Sequence, residues 1–226
     1  MRISFRLALV AVFGMIAIPG NASAQAACSS TVAPSCEVYT DCIEAKCNCN
    51  ATSYAYVEKF GAKYCKRFLA NTGFSAKGRE WRDKTLLCLS DAVSRAFVST
   101  SSSTCDCKGI QAAAIKSHTP CYVSSPSFCK LPSDDIRVIA KIVDSGDIVA
   151  LGLDGTIETA LTLFTCMTSE GVAQGTDIAL TFLDEKGNIF AGEVALKSAE
   201  LADSAGLTDV AAAFREIAKR YGNNPG

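Results

Sequence analysis

The chain has 226 residues, with 22 basic against 23 acidic side chains, one histidine and 12 cysteines. A near-neutral balance with no Lys/Arg cluster excludes a partner held by charge, whether nucleic acid or an anionic membrane. A single histidine excludes a two-histidine metal site, and there is no Gly-x-Ser-x-Gly, His-Glu-x-x-His or phosphate-cradling glycine loop, so the sequence indicates no enzyme and no cofactor or metal.

At the N-terminus, Arg2 and Arg6 precede an apolar run from Leu7 to Ile18, then Pro19-Gly20 and the small residues Ala22-Ser23-Ala24. This order reads as a signal peptide over 1–24, cleaved after Ala24, with Ala26 or Ala27 as alternatives. The run is too short to span a bilayer as an anchor. Cys28 follows Gln25-Ala26-Ala27, without the Leu a lipoprotein site normally carries. The expected product is soluble and secreted, or periplasmic in a Gram-negative source. Loss of Arg2 and Arg6 takes the basic count from 22 to 20 against 23 acidic residues, a net charge near −3.

All 12 cysteines fall between residues 28 and 166, which with export reads as a disulfide framework. Composition therefore divides the remainder into a cysteine-rich region, 25–168, and a cysteine-free segment, 169–226. Val57, Phe60, Tyr64 and Phe68 recur at helical spacing, with Thr52 or Ser53 placed to cap and Gly73 to stop. Leu86, Leu89, Val93 and Phe97 form a second stripe, with Trp81, Thr85 and Cys88 beside it. The run from Ser99 to Thr104 is a polar loop. Ser133-Asp134-Asp135 starts a helix through Ile136, Ile139 and Val143, since carboxylates favour the positive helix end. Asp154 can cap another through Ile157, Leu161 and Phe164. No alternating strand pattern appears before residue 170.

Beyond residue 170, Ile178 to Leu183 and Ile189 to Leu196, joined through residues 184–188, form either a β-hairpin or two short helices broken at Gly187. A final helix is capped by Thr208, carries Val210, Phe214, Ile217 and Tyr221 on one face, and ends at Gly222. The expected fold is all-α: a disulfide-crosslinked helical bundle with a C-terminal helical segment that has room for one β-hairpin. Residues 25–166 are expected to hold the bundle core, so that a chain ending near 168 folds alone; the opposing reading makes the last helix, through Val210, Phe214, Ile217 and Tyr221, a wall of the same core.

Several residue groups then line up. Tyr64-Cys65 is followed by Arg67-Phe68-Leu69; next come Phe74, Gly78, Trp81, Lys84, Thr85, Leu86 and Cys88, and then Cys105, His118, Cys121-Tyr122 and Cys129. In order and spacing this resembles the stanniocalcin family over about residues 28–166. The resemblance implies a secreted helical disulfide protein that acts as a hormone of mineral balance or binds a secreted metalloproteinase. It also implies the pairs Cys28–Cys42, Cys36–Cys65, Cys88–Cys121 and Cys129–Cys166, with Cys47/Cys49 bonded to Cys105/Cys107. The family's late unpaired cysteine is missing, so no covalent dimer is expected.

Some residues carry rival readings. Cys47-Asn48-Cys49 and Cys105-Asp106-Cys107 could bind zinc or exchange disulfides, though neither has the helix-N-terminal Cys-x-x-Cys setting of a thiol-exchange site. His118 is expected to pack at a helix end beside Cys121, and Asp144, Asp147 and Asp154 to be solvated helix ends. Asn50-Ala51-Thr52 is a glycosylation sequon, usable only in a eukaryote. The functional expectation is a secreted, non-enzymatic binding or regulatory protein acting on an extracellular partner such as a protease. The alternatives are a structural envelope or matrix protein and, more distantly, a thiol–redox protein.

Overall fold

Helical periodicity dominates the sequence, and the computed structural model, which describes residues 33–99 and 105–222, contains only helical regular elements among them. The chain opens with α1, Val38–Glu44 in wide π-type winding continued by Ala45–Cys47, and α2, Val57–Ala62 in the same winding continued by Lys63–Ala70. The predicted stripe Val57, Phe60, Tyr64 and Phe68 is buried throughout. Gly61 lets α1 approach, because a Cβ there would stand 2.6 Å from the Tyr39 ring. The α2 boundaries differ from expectation. Thr52 Oγ1 donates to Cys49 O (2.7 Å) and accepts from Tyr54 N (3.0 Å), closing a local turn instead of capping. The helix stops at Ala70, where Asn71 turns extended, three residues before Gly73.

The long helix α3 spans Ala76–Ser99. Its N-terminus is held by Ser75, whose Oγ accepts from Gly78 N (3.1 Å), and by the buried Asp135, whose Oδ1 accepts from Ser75 N (2.8 Å). Asp135 thus serves the positive end of two helices, its own and α3. Asp106 caps α4, Cys107–Lys116, by accepting from Gly109 N (2.9 Å). There follow α5 (His118–Val123), α6 (Ser133–Ile142), α7 (Ser145–Ala150) and α8 (Leu153–Glu170).

The cysteine-free region holds α9 (Val172–Leu183), α10 (Asn188–Ser204) and α11 (Thr208–Arg220). The β-hairpin reading is overturned: Ile178, Ala179, Phe182 and Leu183, then Phe190, Ala191, Val194 and Ala195, are buried at helical spacing. Gly171 and Gly187, at φ +86 and +80, break the chain between these helices in a conformation that only glycine adopts without strain. Capping is also simpler than expected. Asp154 lies in the first turn of α8 behind Gly152, and Thr208 is the first residue of α11 behind Leu207.

Helix α8 joins the two regions. It takes α9 so closely that a Cβ on Gly175 would collide with the Met167 backbone, and α10 so closely that Ser198 Oγ reaches Ala160 O (3.3 Å). The buried apolar residues form one cluster from Val38 to Tyr221. The buried cluster is therefore continuous across the compositional division at residue 168.

Five disulfides cross the N-terminal part: Cys36–Cys65, Cys47–Cys105, Cys49–Cys107, Cys88–Cys121 and Cys129–Cys166. The two Cys-x-Cys pairs thus bond in register, first thiol to first and second to second. Cys42 is disulfide-bonded, and its expected partner, Cys28, lies outside the described residues, as does the leader.

Candidate functional site

Aromatic residues enter the centre of the cysteine-rich region from several helices at once: Tyr39 from α1, Tyr56, Phe60, Tyr64 and Phe68 at α2, Trp81 from α3, and His118 and Tyr122 from α5. Between these rings a cavity of about 90 Å³ remains, open to solvent at its mouth. One water needs about 10–15 Å³, so the space exceeds a single water and is lined mainly by apolar groups.

Ring contacts run along the wall. His118 meets Tyr56 (6.4 Å between centroids) and Tyr122 (5.5 Å); Tyr122 meets Trp81 (5.6 Å); Trp81 meets Phe68 (6.2 Å), which stacks near Phe74 (6.1 Å). Phe128 and Phe182 continue it from Trp81 on the other side. Trp81 is fixed by its Nε1–H donating to Tyr122 O (3.1 Å). On α8, Gly155 is required where the helix passes α7: a Cβ there would stand 2.6 Å from Ile148 O.

Polar groups are sparse in this wall. Burial pushes the Tyr39 hydroxyl up to about 12, an effect that Ser90 partly offsets although its Oγ makes no hydrogen bond of good geometry. Burial likewise raises Tyr56 and Tyr122, so all three remain neutral donors. The His118 ring lies 2.9 Å through Nδ1 from Ala114 O and 3.0 Å from Ile115 O, and burial holds its pKa below the ordinary value. Two carbonyl acceptors assign the proton of the neutral ring to Nδ1, leaving Nε2 an acceptor. Glu158 is held by Thr119, whose Oγ1 donates to Oε2 (2.8 Å). Arg82 also lines the cavity. Its side chain is only 13 % exposed, its Nε donates to Asp83 Oδ1 (2.7 Å), and its guanidinium lies 5.9 Å from the Phe74 ring centre.

Beside the cavity, Tyr64 ties α2 to the α6–α7 turn: its hydroxyl donates to Asp147 and accepts from Asp144 N (3.0 Å). Lys63 pairs with Asp147, and Arg67 Nη1 donates to Asp144 Oδ2 (2.7 Å). Burial pushes the Asp147 carboxyl up, but hydrogen bonds from Lys63 and Tyr64 overbalance it and hold the pKa below the usual range. Arg67 does the same for Asp144. These two aspartates are therefore bridgeheads between helices, not solvated helix ends. Behind them, Lys186 of the α9–α10 turn is buried, donates to Ala140 O and Val143 O, and is pushed down to about 8 by burial.

The residues singled out in the sequence are distributed differently. His118 enters the cavity wall; the Cys-x-Cys thiols are consumed in two parallel disulfides on its flank. Asn50 is half-buried in the single turn Cys49–Ala51 just after those thiols, its Oδ1 enclosed without a hydrogen-bond partner. Among the described residues, no cysteine is free, no His/Cys/Asp/Glu group of three or more could hold a metal ion, and no helix is long and apolar enough to cross a membrane. Comparison with family models, with curated proteins and with solved structures found no match.

The cavity was not legible in the sequence. Each aromatic reads as core on its own helix, and whether opposing faces fill the space between them depends on helix separation. The available signal was a concentration of aromatics in helices that also carry cysteines.

Proposed function

We propose that the protein is an exported, non-enzymatic binding protein whose central cavity takes an apolar small molecule. The observation that carries this reading is the cavity itself. Protein interiors close to near-crystalline density, and each unfilled volume costs stability, so an envelope protein with no ligand would be expected to collapse it. The leader and the disulfide frame support export. Thiol exchange has less support, because neither Cys-x-Cys pair closes on itself: each thiol bonds across to the other segment. The resemblance over residues 28–166 adds an extracellular protein partner, such as a protease, to the same proposal.

The test is titration with aminoanthracene, a probe whose emission rises in apolar surroundings. Saturable binding with a stoichiometry of one is expected. It should be lost in Thr159→Phe, which fills the cavity from α8 without breaking a tertiary bond, since Thr159 Oγ1 donates only within its own helix to Gly155 O. Binding that never saturates, or that survives Thr159→Phe, contradicts the proposal.

A further inference from the structure

Among the described residues, Arg82 is the one permanent cation in the cavity wall. A guanidinium has five N–H donors in a planar fork matched to a carboxylate, and burying one without acceptors is costly. Here only Nε has an acceptor, the neighbouring Asp83, which is itself 41 % exposed. The Nη groups have no hydrogen-bond acceptor among the described residues, and the Phe74 ring covers one face. The wall elsewhere offers the neutral Tyr56 and Tyr122 on either side of His118, and the acid Glu158 among the described lining residues is engaged by Thr119. The cavity wall is thus mostly aromatic and carries one guanidinium whose Nη groups are unengaged, with Glu158 already bonded to Thr119.

We propose that the ligand is an amphipathic monocarboxylate of the fatty-acid class, its carboxylate accepting from the Arg82 Nη groups and its apolar chain lying along Trp81, Tyr122 and Tyr56. The aromatic wall accommodates the chain through dispersion and exclusion of water, and the guanidinium supplies the only charge-assisted contact. Asp83 competes for the same fork through Nε alone, which leaves the Nη edge free for a second, bidentate partner. This inference rests on the cavity being a ligand site, and its test separates the two claims.

Trp81, the only tryptophan of the chain, lies in the wall and reports occupancy directly. Dodecanoate and methyl dodecanoate share the chain and differ in charge. Their affinities, read from Trp81 emission at neutral pH, should differ by about ten-fold or more in favour of the acid, the range of a hydrogen bond to a charged group. In Arg82→Gln the acid should fall to the affinity of the ester, while the ester keeps its own. Equal binding of acid and ester by the unaltered protein overturns the assignment of the headgroup and leaves the cavity reading standing. Binding of neither ligand overturns both. An acid preference that persists in Arg82→Gln places the carboxylate elsewhere and also overturns the proposal. The first comparison needs no variant, so a failure of Arg82→Gln to fold does not obscure the outcome.

Discussion

The two regions of this molecule solve one packing problem in opposite ways. The cysteine-rich region brings large rings together, leaves a hollow between them and pins the surrounding helices with disulfides. The cysteine-free region has no cysteine to crosslink and packs by close approach: Ala191, Ala195, Ala202, Ala211 and Ala218 are fully buried, and α8 and α9 touch at Gly175. Small residues let helices approach closely and recover dispersion energy along their length. Rings around a void forfeit part of that energy, and covalent loops restrict the unfolded state in compensation. Crosslinks in this fold accompany the hollow, not the chain as a whole.

Truncation is the harshest test of that comparison. A chain ending at residue 168 loses Phe182 from the cavity wall and Lys186 from the Ala140 and Val143 carbonyls, and it uncovers Leu163 and Met167. Aggregation or scrambled disulfides are expected, as seen by gel filtration and non-reducing electrophoresis. A soluble, natively paired product would show that the disulfides suffice and that the uncrosslinked region is an accessory.

Next in size is removal of the parallel pair. Each of Cys47–Cys105 and Cys49–Cys107 closes a 58-residue separation, so either bond alone keeps the loop shut: breaking one costs little, and about 4 kcal/mol is lost only when both are broken. Replacing all four cysteines by serine should lower the calorimetric melting temperature far more than replacing either pair. Equal effects of one pair and both would mean that only one bond constrains the unfolded chain.

Within the close-packed region, Gly175→Ala places a methyl group against the Met167 backbone, which cannot yield as a side chain would. A loss of about 1–3 kcal/mol is expected by denaturant titration. Lys186→Met should cost about 1–3 kcal/mol, because two carbonyls lose their donor while an ammonium is spared burial. A gain in stability would show that desolvation of Lys186 outweighs those bonds.

The smallest expected effect is acidic. Asp144 and Asp147 have folded pKa values below their ordinary 3.8, so their stabilisation is present above that value and is lost as pH falls through it toward the folded values. Both are partly exposed, 51 % and 32 % in side chain, so screening limits the effect. Asp147→Asn should lower the melting temperature by only ~2 °C at pH 7, and the difference should shrink progressively as pH falls below 3.8.

The helical frame could be read from spacing: Val57, Phe60, Tyr64 and Phe68 specify one face whatever lies opposite. The stretch 178–196 could not be decided, because its apolar residues satisfy both periods over a few positions and the choice is made by α8 lying across them. Asp135 and Arg82 were equally opaque. Each reads as an ordinary helical charge, and each is given its surroundings by a neighbour far away in sequence or by a void that no local pattern encodes.

The central claim, that the crosslinked half encloses a ligand site, is tested most directly with a neutral apolar ligand, independent of any headgroup. Titrating the unaltered protein with dodecanol while following Trp81 emission and the melting temperature should give a saturable emission change at a stoichiometry of one. The melting temperature should rise with ligand concentration. Emission and melting temperature that both stay constant up to the solubility limit of dodecanol would contradict the account.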